Sequence, residues 1–103
     1  MYLFFQGNDE QSALDLTFIE KDKEALKTKI SNMLLEYRSD YEDILKGSTD
    51  RITSFEELLE DTLYILDQAI LGTTETLQYG KGEQHRIVVS HVVAGGPGAT
   101  ILE

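Results

Sequence analysis

The stretch "ALDLTFIEKDKEALKTKISNMLLEY" (13–37) decides the fold, because its apolar period changes partway along. Leu14, Leu16 and Phe18 alternate with Asp15 and Thr17, a period of two that reads as a half-buried strand. From Asp22 the period lengthens. Leu26, Ile30, Met33, Leu34, Tyr37, Tyr41, Ile44 and Leu45 recur at spacings of three and four. At about 100° per residue they fall within an arc of roughly 120°, the width of a core-facing helical stripe. Leu35 alone among these apolar residues lies on the far side. Asp22 is placed to cap the helix, and "KGS" ends it, with Lys46 near the negative end of the dipole and Gly47 at C′. One long helix is expected.

Upstream, "YLFFQ" (2–6) is apolar and aromatic and runs into the turn cluster "GND", so it should form a β-hairpin with the alternating segment. Downstream, "TSFEE" offers Thr53 with Glu56, or Ser54 with Glu57, as a capping box for a second helix. Phe55, Leu58, Leu59, Thr62, Leu63, Ile65, Leu66, Ala69 and Ile70 fill one side of it, and Gly72 is expected to close it. The short linker "GSTDRIT" suggests that the two helices pack as an antiparallel pair.

The strand signal then returns. "TTETLQY" alternates, "GKG" turns, and "HRIVVSHVVA" (85–94) is the most β-prone stretch in the chain. Its "IVV" is apolar on both faces, as a central strand requires. "GGPG" turns again, and "ATI" is expected to begin a last short strand. The expected fold is a single α+β domain over 1–103. It is a two-layer sandwich of order ββ-αα-βββ, with an antiparallel sheet of four to five strands and an antiparallel helix pair on one face. The final Leu102 and Glu103 match what a common C-terminal tag junction leaves.

Charge narrows the function. Nineteen acids oppose nine bases in 103 residues, a net charge of −10. Nucleic-acid binding depends on cations meeting phosphates, so direct binding to DNA or RNA is not expected. No apolar run approaches the roughly 20 residues of a membrane span. The start lacks the basic segment and small-residue cleavage site of a signal peptide, so a cytoplasmic location is expected. The chain has no cysteine, so it has no thiolate metal site and no disulfide framework.

The imbalance is uneven. From Ile52 to Gly80 there are six acids and no lysine or arginine. Within "EELLEDTLYILDQ" (56–68), Tyr64 projects from the middle of the polar arc, ringed by Glu57, Glu60, Asp61 and Asp67. A helix that is merely soluble would alternate its charges, as "EKDKEALKTK" does. Tyrosine supplies contact area at low entropic cost, and a carboxylate rim steers a basic partner. Tyr64 as anchor, with these four carboxylates as charge complement, is the expected binding surface.

Other motifs carry no chemistry. "VVAGGPGAT" (92–100) lacks the lysine and the following helix of a phosphate loop, so it reads as a turn. His85 and His91 share a strand face but stand roughly 20 Å apart at about 3.3 Å per residue, too far to ligate one ion. His91 shares its face with Ile87 and Val89 and is expected to be a partly buried, hydrogen-bonded imidazole; His85 is expected at a strand end. Ser90 points away from His91, so the two form no dyad. "GSTDRITSFEE" lacks the alternating oxygen ligands of a calcium loop. No catalytic residue, metal or cofactor is expected.

In size, charge and α+β build the chain is similar to toxin-neutralising immunity proteins and inhibitors of nucleases. With the acidic helix, this points to an interaction protein that occludes a basic surface of a partner such as a nuclease or toxin. The alternative is a structural or assembly subunit, or a chaperone, acting as a homodimer or through a sheet edge. The "YLFF" strand would then be the exposed edge. A small enzyme would need a deep polar pocket between sheet and helices.

Overall fold

The computed structural model describes residues 1–8, 13–49 and 51–93. The strands β1 (Tyr2–Asn8) and β2 (Ala13–Glu20) come first, then the helices α1 (Lys23–Glu36), α2 (Arg38–Leu45) and α3 (Phe55–Gln68). β3 (Thr74–Tyr79), a 3₁₀ turn (Lys81–Glu83) and β4 (His85–His91) complete the described elements. The sheet is antiparallel and four-stranded, in the order β2-β1-β4-β3. The α+β class and the element order follow the sequence reading. The expected "ATI" strand lies outside the described residues.

The registers assign each strand residue to a face. Phe4 pairs with Phe18 on β2 and with Val89 on β4, and Leu77 on β3 pairs with Ile87. These residues, with Tyr79, meet Leu26, Ile30, Leu34, Leu58, Ile65 and Leu66 in one apolar cluster. The helices therefore lie on one face of the sheet. Thr62 is fully buried within that layer and donates its hydroxyl to the Leu58 carbonyl at 2.6 Å, which satisfies the one polar group it brings inside.

Four local readings change. The expected single helix is two, broken at Tyr37 (φ −104°, ψ 27°), which ends α1 and begins α2. Hydrogen bonds from Tyr37 N to Met33 O and from Tyr41 N to Tyr37 O run across the break, so the apolar spacing passes through undisturbed. Asp22 occupies the N-cap position without a side-chain cap bond. The third helix ends at Gln68 with Ala69 as its C-cap, so Gly72 belongs to the following turn and Ile70 is exposed. The fourth change concerns β2. Phe4 pairs with Phe18 but Phe5 pairs with Leu16, so Thr17 is an extra residue, a β-bulge. Phe18 points to the helices, whereas Leu14 and Leu16 point away from them.

The bulge has a wide effect on the second sheet face. Leu3 and Phe5 on β1, Leu14, Leu16 and Ile19 on β2, and Val88 on β4 all face away from the helices. Leu3 is fully buried yet stands apart from the helix-side cluster. β1 is also an interior strand, paired on both sides, so "YLFF" is not the exposed edge the sequence suggested. The edges are β2 and β3. No helix among the described residues is long and apolar enough to cross a membrane.

Gly80 joins β3 to the 3₁₀ turn with φ +87°, a left-handed conformation that favours glycine. A Cβ there would stand 3.1 Å from both the His85 ring and the Ile44 side chain. Gly80→Ala is expected to destabilise the fold by more than about 1 kcal/mol. A urea melt with a lowered midpoint and an unchanged slope checks this.

Candidate functional site

The acidic helix α3 begins with a dense cap. Ser54 Oγ accepts from the Glu57 backbone N–H at 3.2 Å, the second of the two capping pairs read from sequence. Glu57 Oε1 in turn accepts from the Thr53 hydroxyl at 2.8 Å and from the Thr53 backbone N–H at 3.3 Å. These Thr53 bonds hold the Glu57 carboxyl below the usual glutamate range. Glu57 therefore serves the start of the helix.

Two more of the expected binding carboxylates are engaged within the chain. Asp67 receives Lys27 at 2.6 Å and Lys23 at 3.4 Å, both from α1. The Lys27 hydrogen bond lowers the Asp67 pKa, and the same bond raises that of Lys27. Asp61 meets Arg51 from the linker at 3.4 Å. Glu56, on the same helix, takes Arg38 at 2.5 Å, whose guanidinium also stacks over the Phe55 ring at 4.7 Å. The helix carries no cation of its own, but α1, α2 and the linker supply four. Sequence spacing along α3 could not reveal these non-local partners.

Tyr64 and Glu60 remain. Tyr64 is 60% exposed, and Glu60, one turn before it, is exposed with no ion-pair or hydrogen-bond partner among the described residues. The five expected residues share the outer surface of α3, but they divide into a cap (Glu57), two ion pairs (Asp61, Asp67) and an open pair (Glu60, Tyr64).

His91 is the partly buried, hydrogen-bonded imidazole read from its strand position. Its Nδ1 lies 3.1 Å from the Ala69 carbonyl oxygen, and its ring stacks on Tyr2 with centroids 4.0 Å apart. Among the described residues it has no carboxylate partner, so its contacts join β1, β4 and the end of α3. His85 lines a cleft of about 280 Å³ with Asp15, Asp40, Tyr41 and Tyr79. Burial pushes the Tyr41 and Tyr79 hydroxyls up, and Tyr41 OH donates to Gln6 Oε1 at 3.0 Å. This polar cleft between the sheet and α2 was not visible in the sequence, because its residues come from β1, β2, α2, β3 and β4. Among the described residues no group of three or more His, Asp or Glu side chains could hold a metal ion.

No family model, curated protein or solved structure matches the chain.

The Asp67–Lys27 pair sets a pH signature. The Asp67 carboxyl is depressed in the fold, so its stabilising contribution is present above about pH 4, its unfolded range, and is lost as pH falls through the folded value. Lys27 is raised, so its contribution is complete below about pH 10 and is lost as pH climbs above it. The stability difference between the wild type and Lys27→Met is expected to be flat between roughly pH 5 and pH 10 and to shrink on both sides. Urea melts across pH check it. Ser54→Ala, a separate test of the cap, should cost about 1 kcal/mol.

Proposed function

We propose that the protein works by contact and not by catalysis, presenting its acidic helix layer to a basic surface of a partner protein. The observation that carries this reading is Tyr64, 60% exposed beside the unpartnered Glu60. A large side chain with few rotatable bonds and a solvated carboxylate one turn away together provide an anchor and a steering charge. Charge over the whole layer supports the same reading. Residues 22–68 hold twelve acids and six bases, so −6 of the net −10 belongs to this segment even after every cation in it is counted. A nuclease or toxin with a cationic site is the kind of partner such a field would meet.

The variant that tests this spares Asp61 and Asp67, because both hold cations within the chain. Wild type and Tyr64→Ala with Glu60→Lys are immobilised and exposed to a lysate of the source organism. One basic protein captured by the wild type, released as salt rises and lost from the variant, is the expected result. Equal capture by both proteins, with unchanged stability, would remove α3 as the contact.

A further inference from the structure

We infer that the cleft between α2 and the sheet binds the guanidinium group of an arginine side chain carried by another polypeptide. This does not depend on the reading of α3.

The cleft lies on the helix side of the sheet, at the end away from the Tyr2–His91 pair. Its floor is built by Gln6 of β1, Asp15 of β2, Tyr79 of β3 and His85 of β4, and its wall by Asp40 and Tyr41 of α2. Gln6 follows the buried Phe4 by two residues and pairs with Asp15, so both point toward the helices. His85 precedes the buried Ile87 by two and pairs with Tyr79, so these do the same.

One polar group in this lining lacks a partner. Tyr79 is 3% exposed, yet its hydroxyl makes no hydrogen bond among the described residues. Buried polar groups are normally bonded, and an exception calls for a cause. The Tyr41 ring lies 6.5 Å from that of Tyr79, centroid to centroid. Tyr41 gives its proton to Gln6 Oε1 at 3.0 Å, which leaves its own oxygen to accept. Asp15 and Asp40 are exposed, and neither makes an ion pair among the described residues. The lining is therefore rich in acceptors, with two carboxylates and two phenol oxygens.

This excess of acceptors selects the occupant. An anion is repelled by Asp15, by Asp40 and by a chain of net charge −10. A metal ion needs a group of three ligating side chains, and the described residues hold none. An arginine guanidinium carries five N–H donors and no acceptor in a flat fork. It can bond a carboxylate on each side and still reach a phenol oxygen. A lysine ammonium has three donors on a compact centre that is more strongly hydrated. Ile44, half-buried in the same lining, gives the methylene stem of the arginine an apolar surface.

Size selects the source. Pockets for free small ligands run to about 300–1,000 Å³ and enclose most of the ligand. At about 280 Å³ this cleft falls just short of that range and suits the end of one side chain. A group delivered on a chain from outside needs no enclosure. The isolated side chain is expected to bind weakly, with Kd of about 10⁻⁴ to 10⁻² M.

The test is an NMR titration of the isotope-labelled protein with Nα-acetyl-argininamide, a side chain whose backbone charges are capped. It runs to about 50 mM ligand at about 0.15 M salt. Saturable amide shifts centred on Gly7, Asn8, Asp40 and His85 are expected. Nα-acetyl-citrullinamide, the uncharged isostere, should bind at least about tenfold more weakly. Free arginine, whose carboxylate meets the same negative field, should bind no more tightly than the capped residue. Asp15→Asn with Asp40→Asn should raise Kd at least about tenfold. Asp43→Asn, which removes an exposed acid of α2 outside the cleft, should change it by less than about twofold. Either single variant of Asp15 or Asp40 repeats the test if the double variant fails to fold.

Tyr79→Phe separates binding from structure. It removes a hydroxyl that makes no hydrogen bond among the described residues, so the urea midpoint should hold or rise while Kd rises about threefold or more. A lowered midpoint with unchanged Kd overturns the role given to that hydroxyl. Absence of saturable shifts at the cleft to about 50 mM overturns the proposal as a whole. Equal binding of the citrulline compound overturns it too, since charge then plays no part. Free arginine binding at least about tenfold tighter than the capped residue overturns the side chain as occupant and assigns the cleft to a free amino acid.

Discussion

Everything else in this fold depends on the ladder between β1 and β4. Each belongs to a hairpin, β1 with β2 and β3 with β4, and a two-stranded hairpin is at best marginally stable in water. Pairing Tyr2 with His91 through to Asn8 with His85 joins the hairpins into one four-stranded sheet. The ladder continues one residue further, with Met1 N donating to Val92 O at 2.9 Å and Val92 N donating to Met1 O at 2.8 Å. Only then do Phe4, Ile87 and Val89 lie side by side under the helices, each fully buried. The stacked Tyr2 and His91 rings, with the Ala69 carbonyl against His91, tie the end of α3 to the same seam. The contacts that matter most therefore join residues 77 to 89 positions apart, a topology that folds slowly relative to a helical bundle.

How much of this was legible follows from the range of each interaction. Some local signals held, although Tyr37, read into the same stripe, is 50% exposed at the helix break. Leu26, Ile30, Leu34, Tyr41 and Leu45 are buried as their spacing required, Gly47 has the positive φ of a C′ residue, and the Ser54–Glu57 cap forms. The bend at Tyr37 left no trace in the pattern, because the hydrogen bonds bridging it keep the apolar phase. The bulge at Thr17 was also hidden, since "LDLTF" alternates perfectly by letter while the strand that forms does not. In the candidate site, the exposure of Tyr64 was legible from one helical wheel. The cations that engage Asp61 and Asp67 come from α1 and the linker, and no pattern within α3 encodes them.

The charge of the molecule is segregated by layer. Helix surfaces hold most of the acids, and cross-element pairs such as Arg38–Glu56 and Lys27–Asp67 join those surfaces to one another. Exposed pairs of this kind add little stability, each worth about 1 kcal/mol or less. Their larger effect is to make repulsion within an acidic layer tolerable. The sheet, by contrast, is apolar on both sides at its centre, where Val88 faces outward between the inward Ile87 and Val89. "IVV" signalled this from the start as a strand apolar on both faces, although among the described residues only one of those faces meets a helix.

Whether such a sheet associates by its face or by its edges depends on the edge strands. An unblocked edge offers a row of backbone donors and acceptors to any passing strand. β2, one edge, is interrupted by the Thr17 bulge and carries Asp15 and Glu20, with Lys29 drawn onto Glu20. β3, the other, is short, carries Glu75 and is followed by Gly80, whose left-handed backbone turns the chain out of the sheet. Bulges, short edge strands and charges are how natural sheets discourage edge pairing. The outer face is apolar across β2, β1 and β4, but Leu3 and Val88 at its centre are buried, and its exposed apolar residues are Leu16 and Ile19 on β2. The same bulge that weakens the β2 edge as a template turns Leu14 and Leu16 onto the face. Edge protection and the outward placement of Leu14 and the exposed Leu16 thus share a single cause.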